Sequence, residues 1–323
     1  MLTPVHPNPS DVRAFSRATH PGQLSNYGER AWCRLESYVF LCLAEVTRRP
    51  LHCYGYGLCP GRFAIFGPTE QLRPLASTLD GPGASFTQAE LPSSGELTDE
   101  GDRATIARIE EEVRSTYVRS ATLTAKARVE TSGRRKRTFV LSGKQVRDID
   151  MEHVVSVLLS ASVAPFLHVL RVDGNLLTGS SVAKLCEVLV CTPHVPLLRE
   201  LNLSDNPRLL EADGVGELGC WLPHRHFSLT TLRIASCALD RSAAMVLAAA
   251  VSSCASLKHL DLRCNLLDDE AVDALLAACR SPQRAGKAGG TEQVLRVTLD
   301  IEGNAAVSAQ SFQKVSVLCG VYA

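Results

Sequence analysis

The sequence lacks an excess of charge of either sign. Its 323 residues hold 34 Lys and Arg against 34 Asp and Glu, so the formal net charge is +0 at pH 7. Bulk charge therefore gives no argument for a nucleic-acid or membrane partner. Hydrophobic residues make up 45% and charged residues 21%, which indicates a folded chain rather than a disordered one. The length suggests about two domains.

Long apolar runs are missing as well. The first residues, MLTPVHPNPSDVRAFS, have no apolar core of the kind that a signal peptide needs. The longest apolar run, near residues 37–46, is much shorter than the roughly 20 residues of a membrane-spanning helix. We therefore expect a cytoplasmic protein without membrane insertion.

The twelve cysteines show no regular pairing pattern. Several fall on the apolar faces of predicted helices, namely Cys186, Cys191, Cys254 and Cys279. We expect them to be reduced thiols that pack as small hydrophobic side chains.

Familiar catalytic and cofactor motifs are also absent. The sequence has no Walker loop, dinucleotide glycine fingerprint, GxSxG elbow or HExxH motif. His52, Cys53 and Cys59 lie close together in the sequence, but no second cysteine pair accompanies them, so we expect no zinc site. The sequence predicts neither a metal site nor a cofactor.

What the sequence does contain is an internal repeat in its second half. Each copy has the form L-x-x-L-x-L-x-x-N/C-x-L, with some positions relaxed. The ninth position falls at 144, 175, 206, 237, 265 and 304, at steps of 31, 31, 31, 28 and 39 residues. Helical segments follow the copies at 180–190, 243–254 and 270–279. The long last step contains a polar, glycine-rich insertion at 281–293, which is typical of a surface loop.

This pattern resembles the leucine-rich repeats of the ribonuclease-inhibitor-like class. The resemblance implies a right-handed parallel strand–helix solenoid of about six repeats over 139–323. The alternating apolar residues of each copy, such as Leu170 and Val172, would turn inward. The fold class of the whole chain is therefore α/β.

The ninth position forms a predicted ladder of structural residues at the turn that leaves each strand. Asparagine can bond the backbone there, where no neighbouring strand does so. The members of this ladder are Asn175, Asn206, Cys237, Asn265 and Asn304.

The concave strand face is the predicted binding surface, because solenoids bind their partners there. Its outward positions between the leucines are polar and lack a large aromatic anchor, so the face suits a charged protein surface. One row changes from basic to acidic along the solenoid: Val140, Arg171, Asn202, Arg233, Asp261, Asp300. The partner-binding residues that we predict are His168, Arg171, Asp173, Arg199, Asn202, Arg233, Lys258, Asp261, Arg263 and Asp300. The alternative is a solvated face without a partner.

The first half lacks the repeat. Helices are predicted at 26–46, with Trp32, Leu35, Val39, Leu43 and Val46 on the buried face, and at 103–130, with Ile106, Ile109, Val113 and Tyr117 on the buried face. Short strands are predicted within 51–57 and 61–67, and a basic linker at 131–138.

The stretch SNYGERAWCRLE, residues 25–36, resembles the third conserved block of Toll/interleukin-receptor (TIR) domains. In NAD-cleaving members of that family a glutamate four residues after this tryptophan is catalytic, and Glu36 holds that position here. The resemblance implies that this carboxylate would stabilise the positive charge on ribose as the nicotinamide bond breaks. About 25 residues precede this helix, and they carry no strand signal. We therefore expect 1–130 to be an incomplete TIR-like α/β region.

Two functions follow from these patterns. The first is an intracellular scaffold, not an enzyme, that binds a protein partner on the concave strand face. The alternative is a TIR-type NAD hydrolase, or its inactive remnant, that uses Glu36. If Trp32 and Leu35 pack in a core while Glu36 is solvated, the first function is favoured.

Overall fold

The chain divides into two compact units, Met1–Ala121 and Thr122–Ala323. The computed structural model describes residues 2–5, 31–47, 53–57, 63–66, 91–132, 137–191, 197–211, 214–223, 229–280 and 297–316. Both units combine helices and strands, and each is described by itself.

The first unit contains a three-stranded sheet of order β1-β2-β3. The strands are β1 (Leu2–Val5), β2 (Cys53–Gly57) and β3 (Phe63–Phe66). The first pair is parallel and the second is antiparallel. The predicted strands within 51–57 and 61–67 are confirmed. The expectation that no strand precedes the first helix is wrong, because Leu2–Val5 pairs with Tyr54–Gly57. Four residues are too few for a strand pattern in the sequence, and hydrogen bonds to the neighbouring strand stabilise β1.

The first unit also contains α1 (Ala31–Thr47) and the part of α2 (Asp102–Thr131) up to Ala121; the rest of α2 belongs to the second unit. Both predicted helices are confirmed, although residues 26–30 lie outside the described part of the chain. The predicted buried face of α1 is largely wrong. Trp32 is 40% exposed and Leu43 and Val46 are exposed too. Leu35 is buried as predicted and Val39 is half-buried, but the other buried residues are Ala31, Tyr38 and Cys42.

The shift of face has a physical cause in the packing between α1 and α2. Ala31 and Leu35 form a core cluster with Ile106 of α2, and Val39 packs at its edge. Small Ala31 allows close approach, whereas the indole of Trp32 keeps its N–H at the surface, where Nε1 donates to Asp102 Oδ2 at 2.9 Å. The size of the apolar side chains therefore does not by itself determine which face of α1 is buried.

The buried face of α2 also departs from the prediction. Ile106 is fully buried, but Glu110 and Arg114 are the next buried positions along this face. The carboxylate of Glu110 accepts a hydrogen bond from the Ser93 N–H at 2.9 Å, and the Arg114 Nε donates to Glu111 at 3.0 Å. Each buried charge thus has a polar partner, which burial of a charged group requires.

The second unit is built on a six-stranded parallel sheet of order β4-β5-β6-β7-β8-β9. One strand comes from each repeat: β4 (Arg137–Val140), β5 (Leu167–Arg171), β6 (Glu200–Asn202), β7 (Thr231–Arg233), β8 (His259–Asp261) and β9 (Thr298–Asp300). Sequential neighbours pair throughout, which is the topology of a solenoid.

A helix follows every strand of this sheet. These helices are α3 (Met151–Leu158), α4 (Gly179–Cys191), α5 (Gly214–Trp221), α6 (Arg241–Ser253), α7 (Asp269–Cys279) and α8 (Ala309–Val315). Asp240 caps α6 by accepting from the Ala243 N–H, and Asp268 caps α7 in the same way through Ala271. The helices predicted at 180–190, 243–254 and 270–279 are confirmed.

The core of the second unit lies between strands and helices. Leu170, Val172, Leu201 and Leu203 are buried, as the alternation of apolar residues predicted. The predicted strand–helix solenoid is confirmed. The predicted loop at 281–293 lies outside the described residues.

The predicted linker at 131–138 overlaps regular structure at both ends. Thr131 is the last residue of α2, and Arg137 and Thr138 belong to β4; residues 133–136 lie outside the described part. Among the helices that the structure describes, none has both the length and the apolar character needed to cross a membrane.

Candidate functional site

The face of the six-stranded sheet that is opposite the buried leucines is called the strand face below. Because successive side chains of a strand point to opposite sides, the residues between the leucines stand on this face. The strand register places Arg171 beside Asn202, Asn202 beside Arg233, and Arg233 beside Asp261 and then Asp300. The row that changes from basic to acidic in the sequence is thus one continuous line of neighbours across five strands.

Two further rows flank this line. Backbone bonds from Arg199 to His168, from Thr230 to Arg199 and from Lys258 to Thr230 join the positions where the strands begin. Arg199 and Lys258 are exposed there, and His168 is half-buried. At the other end of the strands, Asp173 is half-buried and its Oδ1 accepts from the Ser142 hydroxyl at 2.9 Å.

One functional row was missed in the sequence. The register places Val169, Glu200, Thr231, His259 and Thr298 side by side. Strict alternation could have found it, because Glu200 lies two residues before Asn202 and therefore points to the same face. Its neighbour Arg199, which was used instead, precedes the strand.

Glu200 is the centre of an ion-pair group. Its side chain is 10% exposed, and its Oε1 lies 3.2 Å from the Arg171 Nη2 and 4.0 Å from the Arg233 Nε. Within the described part of the chain the buried Nε of Arg233 makes no hydrogen bond. One carboxylate thus holds two guanidinium groups that come from the strands on either side of it.

A second group joins Arg263 to two aspartates. Arg263 donates to Asp261 at 2.9 and 2.8 Å, and it lies 3.3 Å from Asp300. Burial alone would raise the pKa of Asp261, but the hydrogen bonds and charge of Arg263 outweigh burial and hold this pKa below its ordinary value. Asp261 is buried rather than exposed, so its carboxylate positions Arg263 instead of standing open to solvent.

A depression of about 400 Å³ opens between these two groups. Arg233, Asp261 and Arg263 line it from the sheet, and Asp205 and Glu302 line it from the turns that leave the strands. Partial burial raises the pKa of Asp205, and the nearby Asp173 and Asp261 raise it further, against a hydrogen bond from Ser236. Asp205 and Glu302 make the turn side of the depression acidic.

The predicted ladder residues lie behind this face and bond the backbone. The Asn175 side-chain oxygen accepts from the Lys144 and Val146 N–H groups, both at 3.0 Å. Its Nδ2 donates to the carbonyl oxygens of Leu141 and Val172. Asn206, Asn265 and Asn304 make equivalent bonds to neighbouring turns. Cys237 donates its thiol to Leu203 and Ala235, both at 3.3 Å.

The second predicted site, in the first unit, centres on Glu36. This carboxylate is exposed on α1, one turn after Trp32. The side chains of His52, Cys53 and Cys59 lie outside the described residues. Among the residues that the structure does describe, no group of three or more His, Cys, Asp or Glu side chains is arranged to hold a metal ion.

Comparison with known proteins bears on the second unit. A family model described as a leucine-rich repeat matches residues 253–276, which run from the end of α6 through β8 into α7. This copy of the repeat is therefore similar to a leucine-rich repeat. The chain is also 31% identical over 154 residues to the mouse (Mus musculus) protein named NACHT, LRR and PYD domains-containing protein 14. That alignment covers 45% of this chain and 15% of the mouse protein. The TIR-like interpretation of residues 1–130 stays a prediction.

Proposed function

We propose that this chain is a cytoplasmic, non-catalytic scaffold whose strand face recognises a partner protein. The observation that carries the proposal is the row of polar neighbours from Arg171 to Asp300, which five adjacent strands present on one face. A row of charged and amide side chains at fixed spacing suits the polar surface of another protein. It does not form an enclosed site where water is excluded and chemistry could be assisted.

The rigidity of the row supports a binding role. Arg171, Arg233 and Arg263 are each held by a carboxylate of the same or a neighbouring strand. Groups that are already fixed lose little conformational entropy when a partner binds, so more of the interaction energy appears as affinity. The seven described cysteines, which are free thiols, support a reducing compartment.

A photocrosslinking experiment tests the proposed face. A photoreactive amino acid replaces Asn202, which is half-buried in the centre of the row, and in a matched control it replaces Met245, which is exposed on α6. After irradiation in cell extract, we expect a discrete crosslinked protein from position 202 and none from position 245. Equal products from both positions, or products from 245 alone, would contradict binding on the strand face.

A further inference from the structure

The charges on the strand face are not evenly mixed. Four cationic side chains stand on neighbouring strands of this face: Arg199 and Lys258 directly precede β6 and β8, and Arg171 and Arg233 end β5 and β7. We call these four residues the cationic patch. Glu200, on β6, lies within ion-pair distance of Arg171 and Arg233, and the row of these two arginines continues into Asp261 and Asp300. With Asp261 and Asp300 set aside because they pair with Arg263, four positive charges against the one negative charge of Glu200 leave the patch at +3.

The neighbouring carboxylates do not neutralise the patch. Asp261 stands beside Arg233 in the row, but it is buried and bonded to Arg263 at 2.8 Å. Arg199 and Lys258 are exposed and form no ion pair with another described residue. Most of the positive charge of the patch is therefore available to a ligand.

Glu200 also sets the spacing of two members of the patch. It lies on β6, between the strands of Arg171 and Arg233, and attracts both guanidinium groups. Two strand spacings separate these arginines by about 10 Å. Arginine has five N–H donors in a planar fork, so each guanidinium retains donors for a carboxylate outside the protein. Their side chains are 44% and 37% exposed.

The opposite side of the face limits what can bind. At the turns, Asp205 and Glu302 line the depression, and Asp300 lies at the end of the row. A long polyanion such as a nucleic acid would bring phosphates over these carboxylates and be repelled. A short acidic segment fits the patch without crossing the negative side.

From this arrangement we infer that the cationic patch binds a short acidic segment of the partner, rich in Asp or Glu, across strands β5 to β8. The inference rests on the proposed function and names the chemistry of the partner. Glu200 is a positioning residue in this site, since it acts through the two arginines.

Selection from a library of short random peptides displayed on phage tests the inference with the whole chain as bait. We expect enrichment of peptides with clustered Asp and Glu. For a synthetic copy of the enriched peptide, the Arg199→Glu/Lys258→Glu variant should lower the affinity at least about tenfold. This variant leaves the ion pairs of Glu200 in place, so folding is not at risk from an unpaired buried carboxylate. The matched control is Lys184→Glu/Arg280→Glu, which makes the same change in net charge at exposed positions at α4 and the end of α7 and should leave the affinity unchanged.

The outcomes separate the inference from the proposed function. Enriched peptides that are neutral or basic, and whose binding is lost on Asn202→Arg, would overturn the acidic segment but keep the strand face as the binding surface. Binding that is insensitive to both strand-face variants, or a library without any enriched peptide, would overturn both. A duplex RNA oligonucleotide that binds more tightly than the peptide, and loses affinity in the Arg199→Glu/Lys258→Glu variant, would replace the acidic segment with nucleic acid.

Discussion

At the scale of single residues, Leu35 and Trp32 of α1 have opposite surroundings although both are apolar. Leu35 is in the core with Ala31 and Ile106, while Trp32 is half-exposed and bonded to Asp102. Leu35→Ala should lower the free energy of unfolding by about 2–5 kcal/mol through the cavity that it leaves. Trp32→Ala should cost about 1 kcal/mol, the typical contribution of a hydrogen bond. Urea unfolding measures both, and a larger cost for Trp32 would show that its face is covered.

The ladder residues differ in how many backbone groups they satisfy. Asn206 donates to Val172, Leu203 and Ser204 and accepts from the Leu177 N–H, whereas Cys237 has only a weak thiol donor for such bonds. We expect Asn206→Ala to cost about 2–4 kcal/mol, because buried backbone groups lose their partner. Cys237→Ala should cost about 1 kcal/mol. Equal shifts of the urea midpoint in the two variants would contradict this ranking.

Glu36 allows a direct test of the enzymatic alternative. The carboxylate is exposed, and water weakens the stabilisation of a developing cation by a nearby charge. We therefore expect no nicotinamide release when the whole chain is incubated with NAD, and no difference for Glu36→Gln, which keeps the size of the side chain. Release by the parent that disappears in the variant would establish the NAD hydrolase instead.

At the scale of elements, every strand of the solenoid leaves through the same backbone conformation. The residue before each ladder position has a positive φ, between 53° and 76°. These residues are Gly143, Gly174, Asp205, Ser236, Cys264 and Gly303. The left-handed conformation turns the chain so that the next residue reaches the ladder, and glycine adopts it without steric cost. The repeat therefore depends on a turn that the leucine pattern does not reveal.

Two substitutions at positions with a positive φ, one from glycine to alanine and one from alanine to glycine, test this turn. Gly174 has φ +64°, and a Cβ there would also lie 3.4 Å from the Gly143 nitrogen, so Gly174→Ala should cost about 1–2 kcal/mol. Ala238 is exposed and has φ 56°. Ala238→Gly should raise stability by about 0.5 kcal/mol, since relief of strain exceeds the added freedom of the unfolded chain. Stability curves in urea give both values, and the same sign for both variants would contradict the assigned conformation.

The elements also show what the sequence can and cannot predict. Repeats were predictable because each strand carries its own alternation, and Leu201 is buried while Asn202 points outward. The buried stripe of α1 was not predictable, because two overlapping apolar stripes share Leu35 and only the packing partner selects between them. The shared carboxylate of Glu200 depends on side chains from three strands, and no local pattern encodes that contact.

At the scale of the whole molecule, the two halves contain different kinds of information. In the second unit, stacked copies repeat the same contacts, so a copy whose sequence departs from the pattern can still be predicted from its neighbours. In the first unit, β1 gains its partner about 50 residues later in the chain, and non-local pairing of this kind leaves little trace in a short sequence window. The strand face lies in the half where prediction was reliable, yet its ion pairs became visible only with the strands side by side.

The described cysteines report on the folded state of the molecule as a whole. Burial raises the pKa of the Cys186 thiol to about 12, with Glu217 and Cys220 adding to the rise. Burial likewise raises the pKa of Cys237 to about 12. A thiol with a raised pKa stays protonated and unreactive, because the thiolate is the nucleophile. Cys220 and Cys264, in contrast, are exposed.

Brief alkylation with iodoacetamide near neutral pH, read by peptide mass spectrometry, should therefore modify Cys220 and Cys264 first. Cys42, Cys186, Cys237, Cys254 and Cys279 should react only after unfolding in urea, because each is buried. Because burial raises the pKa of Cys186 and Cys237 to about 12, these two thiols should stay protected as the pH is raised, as long as it remains well below 12. Modification of Cys237 at the rate of Cys264 would show that the solenoid opens at its centre, and a native disulfide among these residues would contradict the proposed reducing compartment.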